Sequence, residues 1–330
     1  MIYIKPSFYD DFKCIASKCT DNCCIGWEID IDENTFIKYS KLNGPLGDEI
    51  RSKITVSEDG SKCFELSEND RCPFLNDSNL CRIIINCGED AICDICKNHP
   101  RFYEWFPGVT ECGLGLSCEE VSRILLSDEK RFTLIETNDF KPIELETKED
   151  TIISDSFIFI SALREKFFDI LFSHDKTYYE KLEKICLLSQ EFCGEDLPLR
   201  NNQELIDAYS HTEPIDDNWV EYIKDLKDNF EFYSLKRKEF KEKYKYDKLY
   251  PKILAYIFYR HLTKGAFDGD VLSRICFCLE SIKFIELCDV KTYCHKNTLT
   301  LEDRILNLKN WSKQIEYSEE NTEFLTYGEV

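Results

Sequence analysis

The sequence predicts a mainly α protein in two parts. A cysteine-rich, metal-binding N-terminal half, residues 1–150, carries a small β-hairpin or sheet, and an α-helical half follows over residues 151–330. Three observations predict this. Twelve of the eighteen cysteines fall between Cys14 and Cys118. An Asp59-Gly60 turn between two short β-prone runs gives a hairpin signal inside that same stretch. Beyond residue 150 the apolar residues recur at helical spacing instead.

Composition narrows the classes further. With 330 residues, 43% of them hydrophobic and 13% aromatic, the chain can bury a real core, so the cysteines are not there to rescue a small domain. The opening residues Met1 to Asp10 have no basic run, apolar stretch and small-residue site in the order of a secretory leader. No run reaches the roughly 18 apolar residues of a membrane span. The expectation is a soluble cytoplasmic protein with reduced thiols, where dense cysteines point to metal or redox chemistry rather than disulfides. The net charge of −21 argues against nucleic-acid binding, which needs a basic footprint. It suits a basic or lysine-bearing partner, or serves solubility alone.

In chain order, Lys5-Pro6 disfavours helix in an extended entry. Trp27-Glu28-Ile29-Asp30-Ile31-Asp32 alternates as a half-buried strand would. A short helix is expected over 33–42, ended by Asn43-Gly44-Pro45. Ile54-Thr55-Val56 and Cys63-Phe64-Glu65-Leu66 flank the hairpin turn. Cys72-Pro73-Phe74-Leu75 and Leu80-Cys81-Arg82-Ile83 bracket a polar reversal, Asn76 to Asn79, which brings two thiols together. Gly88-Glu89-Asp90 opens a short helix carrying Cys93 and Cys96, closed at His99-Pro100. Cys112 to Cys118, with Gly113 and Gly115, reads as a flexible approach to a helix capped by Ser117. The polar stretch 138–151 marks the boundary between halves. Helices are then expected through Phe157, Ile160, Leu163, Phe167 and Leu171, over 178–192, as one long helix over 219–246, from Tyr250-Pro251 to His261, over 271–287 and over 301–315.

The cysteine spacing is Cys14-x4-Cys19-x3-Cys23-Cys24, then Cys72-x8-Cys81, Cys96 and Cys118. Thiolates are soft ligands, and four around one centre suit tetrahedral zinc or an iron–sulfur cluster. Adjacent Cys23 and Cys24 suit a polynuclear centre, or two centres, better than one zinc. Neither C-x3-C-x2-C nor the C-x2-C-x2-C-x3-C ferredoxin run occurs.

The motifs C-T-D-N-C-C-I-G-W-E-I-D-I-D, C-P-F-L-N-D-S-N-L-C-R-I, G-E-D-A-I-C-D-I-C-K-N-H-P-R-F and L-S-C-E-E together resemble the flagellin lysine N-methylase family of bacteria. The N-terminal half of that family is related to zinc- or iron-chelating cysteine-cluster proteins. The resemblance covers roughly residues 1–125, and beyond residue 150 it is loose, chiefly Tyr256-Ile257-Phe258-Tyr259-Arg260. It implies a protein-lysine N-methyltransferase of the bacterial flagellum. Such an enzyme moves methyl groups from S-adenosylmethionine to lysine ε-amines of flagellin and holds an iron–sulfur (4Fe–4S) centre. Carried over residue by residue, the metal-binding thiols are Cys14, Cys19, Cys23, Cys24, Cys72, Cys81, Cys96 and Cys118. Cys63, Cys87, Cys93 and Cys112 stand as additions, although Cys93 makes a C-x2-C with Cys96. The competing readings are a non-enzymatic zinc- or iron-chelating cysteine-cluster protein acting as a metal sensor, and a zinc-stabilised adaptor.

The chemistry asks for more than the sequence names. At pH 7 deprotonating a lysine of pKa near 10.4 costs about 4.6 kcal/mol, which an apolar slot or a carboxylate base must offset. Glu28, Asp30, Asp32, Glu89 and Asp90 are candidate bases, each set against an ordinary solvated or capping role. No catalytic residue and no donor-binding residue is singled out, since Gly113-x-Gly115 lacks the rest of a dinucleotide fingerprint. His99 is a ligand, an acid–base group or a structural ring; Arg101 pairs with a cluster, a donor carboxylate or neither. Cys186, Cys193, Cys276 and Cys278 read as core, Cys288-x5-Cys294-His295 as an incomplete zinc set, and His261 as a core or interface histidine.

Overall fold

The structure is a computed structural model and describes residues 2–20, 22–57, 60–127, 131–138, 147–174 and 176–328. Its strands are β1 (Ile2–Pro6), β2 (Ile54–Val56), β3 (Lys62–Phe64), β4 (Arg101–Phe106), β5 (Val109–Leu114) and β6 (Leu134–Asn138). The remaining elements are helices, so the protein is mainly α with a small sheet and a hairpin, as expected. Among the described residues no helix is long and apolar enough to cross a membrane.

The chain forms two compact units, and they do not divide at residue 150. One contains Met1–Phe12, Tyr103–Ser117 and Val121–Val330, the other Lys13–Phe102 and Cys118–Glu120. The reason is strand pairing. In the larger unit β1 runs parallel to β5, with Ile4 opposite Glu111, and antiparallel to β6, with Ile4 opposite Glu136. The sheet order is β4-β5-β1-β6, so the first residues of the chain form an inner strand and draw β5 and β6 into the helical unit. Of the expected boundary stretch, 139–146 lies outside the described residues.

The sheet is fastened to the helices by polar groups that are buried and paired. The Tyr259 hydroxyl, on the helix Leu249–His261, lies 2.8 Å from both the Ile4 and the Cys112 carbonyl oxygens. Arg164, on the helix Lys148–Leu171, meets Glu111 of β5 at 2.6 Å with both side chains 2% exposed. Thr263 donates to the same carboxylate at 2.7 Å. Removing either member of such a pair strands a charge in the core, which typically costs about 3–5 kcal/mol. Gly115 is a packing glycine: a Cβ there would come within 3.0 Å of the Tyr317 hydroxyl and 3.3 Å of Arg260 Nη1. That close approach explains a glycine whose role the sequence left open.

The helical pattern was legible. Phe157, Ile160, Leu163, Phe167 and Leu171 are all buried along one helix. Tyr178–Cys193, Val271–Lys296 and Leu301–Ile315 also form. The single helix expected over 219–246 is two, Asp217–Asp228 and Phe230–Tyr244, which meet at Asn229. A last helix, Glu319–Tyr327, was not anticipated.

In the cysteine-rich unit β2 and β3 pair as expected, with Thr55 opposite Cys63, while Glu58 and Asp59 of the turn lie outside the described residues. The alternation at 27–32 is real in burial, since Ile29 and Ile31 are 5% exposed, but Asp30 makes only an isolated bridge to Cys63. Ile29, Ile31, Tyr39, Ile50, Phe64, Phe74 and Ile83 form one apolar cluster with Cys72 and Cys93. Cys112 to Leu114 belong to buried β5 rather than to a flexible approach.

Candidate functional site

Three local structures bring thiols towards this cluster. The first is the reversal between Cys72 and Cys81. Asn76 Oδ1 accepts from the Ser78 and Leu80 amides at 2.9 Å each, and Asn79 takes a left-handed φ of 57°. Asparagine tolerates that conformation and its amide mimics a backbone acceptor, so the sequence closes its own turn. Leu75 and Cys81 then face each other in a bridge. The second is the segment of Cys23 and Cys24, held where the Cys72 amide donates to the Cys24 carbonyl at 2.8 Å.

The third is the short helix Asp94–Asn98, which carries Cys96 and follows Cys93. Asp32 positions it. One carboxylate oxygen accepts from the Thr35 amide and the other from the Asp94 amide, both at 2.9 Å. A single carboxylate thus caps both Glu33–Lys41 and Asp94–Asn98. Burial works against its ionisation, yet these hydrogen bonds hold its pKa below the usual range. Asp32 is therefore a capping acid rather than a base. Glu28, Asp30, Glu89 and Asp90 are exposed.

Six sulfurs share this neighbourhood: Cys23, Cys24, Cys72, Cys81, Cys93 and Cys96. Cys24 feels Cys23, Cys72 and Cys96; Cys72 feels Cys81 and Cys93; and Cys96 feels Cys93, Cys72 and Cys23. The Cys24 thiol is pushed up by its hydrogen bond with Cys23 and then by burial. Burial pushes Cys72 to about 11, with Cys81 and Cys93 adding to the rise. The Cys96 thiol bonds to Cys93, which holds Cys93 down and pushes Cys96 up. The buried Tyr39 hydroxyl lies 3.7 Å from Cys93 Sγ. Thiolates gathered like this repel one another, and a cation among them reverses that bias. The donor chemistry therefore fits a thiophilic metal centre. Among the described residues no group of three or more His, Cys, Asp or Glu is arranged to hold a metal ion as it stands.

Of the eight thiols carried over from the family motifs, five are linked in this neighbourhood by the interactions just described. Cys23, Cys24, Cys72, Cys81 and Cys96 are in the neighbourhood. Cys19 lies instead 3.9 Å from Glu119 Oε2, which also binds the Thr20 amide at 3.0 Å, and Cys118 is the neighbour of Glu119 in the chain. Cys14 is exposed, its sulfur accepting from the Ala16 amide at 3.4 Å. Cys93, counted as an addition, is 1% exposed and central; its C-x2-C spacing to Cys96 was the available signal. Tyr39 gave no signal. Cys63 bonds to Thr55 at 3.0 Å and Glu28 at 3.3 Å, Cys87 is exposed, and Cys112 lies in the sheet of the helical unit. The His99 ring packs 6.4 Å from that of Trp27, and burial pushes its pKa down to about 4, so it is neutral at pH 7. Of the thiols read as core, Cys276 and Cys278 are buried and Cys186 and Cys193 are half-buried; Cys288, read as part of an incomplete zinc set, is buried too.

Comparison with known proteins gives the kinship. The chain is similar to the flagellar biosynthetic protein FliU of Salmonella muenchen, 30% identical over 144 residues that make up 41% of this chain and 83% of FliU. It is also similar to the lysine-N-methylases of Salmonella choleraesuis (strain SC-B67) and Salmonella typhimurium. Each is 30% identical over 140 residues, 40% of this chain and 34% of that relative. The match thus spans about a third of the length of those two proteins. No family model and no solved structure matches. On its cysteine motifs and this kinship, the chain belongs to the flagellin lysine N-methylase family.

Proposed function

We propose that this chain is a cytoplasmic protein-lysine N-methyltransferase that uses S-adenosylmethionine to methylate lysine ε-amines of flagellin. The observation that carries the reading is the similarity to two proteins named lysine-N-methylase. In the reaction the neutral amine forms a bond to the methyl carbon as the carbon–sulfur bond of the sulfonium breaks, and the amine proton passes to a base or to water. Bringing the amine to its neutral form costs about 4.6 kcal/mol at pH 7.

Four of the six gathered thiols, Cys23, Cys24, Cys72, Cys81, Cys93 and Cys96, would hold an iron–sulfur (4Fe–4S) centre. When bound, such a centre supplies a redox-active charge whose potential is set by burial and by hydrogen bonds to its sulfurs. What supports this is local geometry: the Asn76 reversal positions Cys72 and Cys81, Asp32 caps the Cys93–Cys96 helix, and Tyr39 faces the Cys93 sulfur.

The test is anaerobic purification, metal and acid-labile sulfide analysis, and transfer of labelled methyl to unmethylated flagellin. Labelled lysine in flagellin with about four iron and four sulfide per chain is expected. Stoichiometric zinc in a colourless protein with no methyl transfer would replace this reading with a zinc-stabilised adaptor.

A further inference from the structure

The cysteine-rich unit has an open surface cavity of about 450 Å³. Its size lies within the range of about 300–1,000 Å³ typical of ligand sites. Trp27, Phe64 and Leu66 give it apolar surface, and Glu28, Glu65 and Asp70 give it three carboxyl side chains. No Lys, Arg or His is among the described residues that line it. Lys53 reaches Glu65 at 3.4 Å, but both side chains are about half exposed, so the carboxylate is only loosely engaged. Glu28 accepts from the Cys63 thiol, a neutral donor, which leaves its charge in place. The cavity is therefore negative and has an aromatic wall.

We propose that this cavity is the subsite for the cationic lysine side chain of the protein substrate. The inference rests on the methyltransferase reading and adds to it the place where the methyl acceptor is recognised. Carboxylates spread around an apolar wall suit an extended organic cation. The four-carbon stem of lysine packs on Phe64 and Leu66, the indole of Trp27 attracts an ammonium or methylammonium through its face, and the acids supply the countercharge. An aromatic face keeps its attraction as methyl groups replace N–H donors, which a purely hydrogen-bonding site would not. The volume leaves room for backbone on either side of the lysine. Phe64 also belongs to the apolar cluster that contains Cys72 and Cys93, so the pocket wall and the thiol neighbourhood share a side chain.

The experiment is calorimetric titration of the full chain, purified anaerobically, with a hexapeptide bearing one lysine and with its norleucine counterpart, alongside kinetics on unmethylated flagellin. The lysine peptide is expected to bind at least tenfold tighter than the norleucine peptide, and raised salt is expected to weaken it. Glu28→Gln with Asp70→Asn is expected to remove that preference and raise KM at least tenfold with little change in kcat. Trp27→Ala should weaken binding, and Trp27→Phe should restore most of it. All four positions are at least partly exposed; if the double variant fails to fold, the single variants Glu28→Gln and Glu65→Gln carry the same expectation. Equal binding of both peptides, no binding of either, or acid variants indistinguishable from the parent would overturn the subsite. Lysine-selective binding lost in the acid variants, without methyl transfer to flagellin by the parent, would keep the subsite and overturn the methyltransferase. Methyl transfer unaffected by the variants would do the reverse.

Discussion

His261 shows how one buried residue sets a pH limit on the fold. Its Nε2 lies 2.8 Å from Glu316 Oε1, its ring packs edge-on against Phe277, and its Nδ1 is buried without a partner. A neutral ring needs only one N–H, so Nε2 donates and Nδ1 is the bare nitrogen. Protonation would place an unpaired N–H in the core. Burial therefore pushes the ring down to about 4, even against the pull of Glu316, whose charge Arg260 already shares at 3.4 Å. The sign follows from linkage. The unfolded ring binds a proton below about 6.5 and the folded ring only below about 4, so stability is full above 6.5 and falls as pH drops through that window. The loss is on the order of 3 kcal/mol by pH 4. Urea titrations from pH 4 to 7.5 should show it, and His261→Gln, which keeps a donor towards Glu316, should lessen the slope and leave the share of His99, whose pKa burial also pushes down to about 4. An unchanged slope would rule His261 out as its source. That this ring is core was legible from its apolar helix, whereas its carboxylate partner lies 55 residues away and no local pattern connects them.

At the scale of elements, Asp32 is the residue on which two helices depend. Removing an N-cap costs about 1 kcal/mol, so Asp32→Ala, which removes two, should lower stability by about 2 kcal/mol. Exchange at the Thr35 and Asp94 amides should quicken together, and metal content should fall with the loosened Cys93–Cys96 helix. Asp32→Asn keeps one carbonyl oxygen and should preserve one cap. If only the Thr35 amide responds to Asp32→Ala, the second cap does not exist. The contrast with the sequence reading is instructive. Helix starts with local caps, such as Thr147, Thr177 and Thr300, are written in consecutive residues. The bond from Asp32 to the Asp94 amide spans 62 residues, so the acid could be listed as a base and its second helix could not be foreseen. The same locality explains the helix expected over 219–246. Apolar periodicity carries through Asn229, whose Nδ2 donates to the Asp225 carbonyl oxygen at 3.3 Å and to Asp225 Oδ1 at 2.7 Å where the two helices meet. Strand β5 was hidden because Gly113, inside the buried strand, and Gly115, just beyond it and packed against Tyr317, look the same in sequence as hinge glycines.

For the whole molecule, which thiols come together is decided by turns and caps between segments far apart in sequence, and cysteine spacing does not display those. The division into units was misplaced for a similar reason: β1 pairs with strands more than a hundred residues later, and composition cannot show that. The two units differ in what stabilises them. The helical unit buries long apolar helices such as Leu249–His261 and Val271–Lys296, with its charges paired inside. The cysteine-rich unit has short helices of five to nine residues, a three-residue hairpin and a cluster in which thiols occupy core positions. Helices this short are marginal by themselves and depend on what they pack against. If a metal centre joins the six thiols, its binding free energy is also folding free energy for this unit. Chelation under reducing, anaerobic conditions should then speed hydrogen exchange across residues 22–32 and 72–98 by at least tenfold. The helices Leu249–His261 and Val271–Lys296 should keep their protection, because their core contains no part of that centre. Uniform acceleration along the chain would mean that the units do not unfold separately. No acceleration at residues 22–32 and 72–98 would mean that these thiols hold nothing that stabilises them.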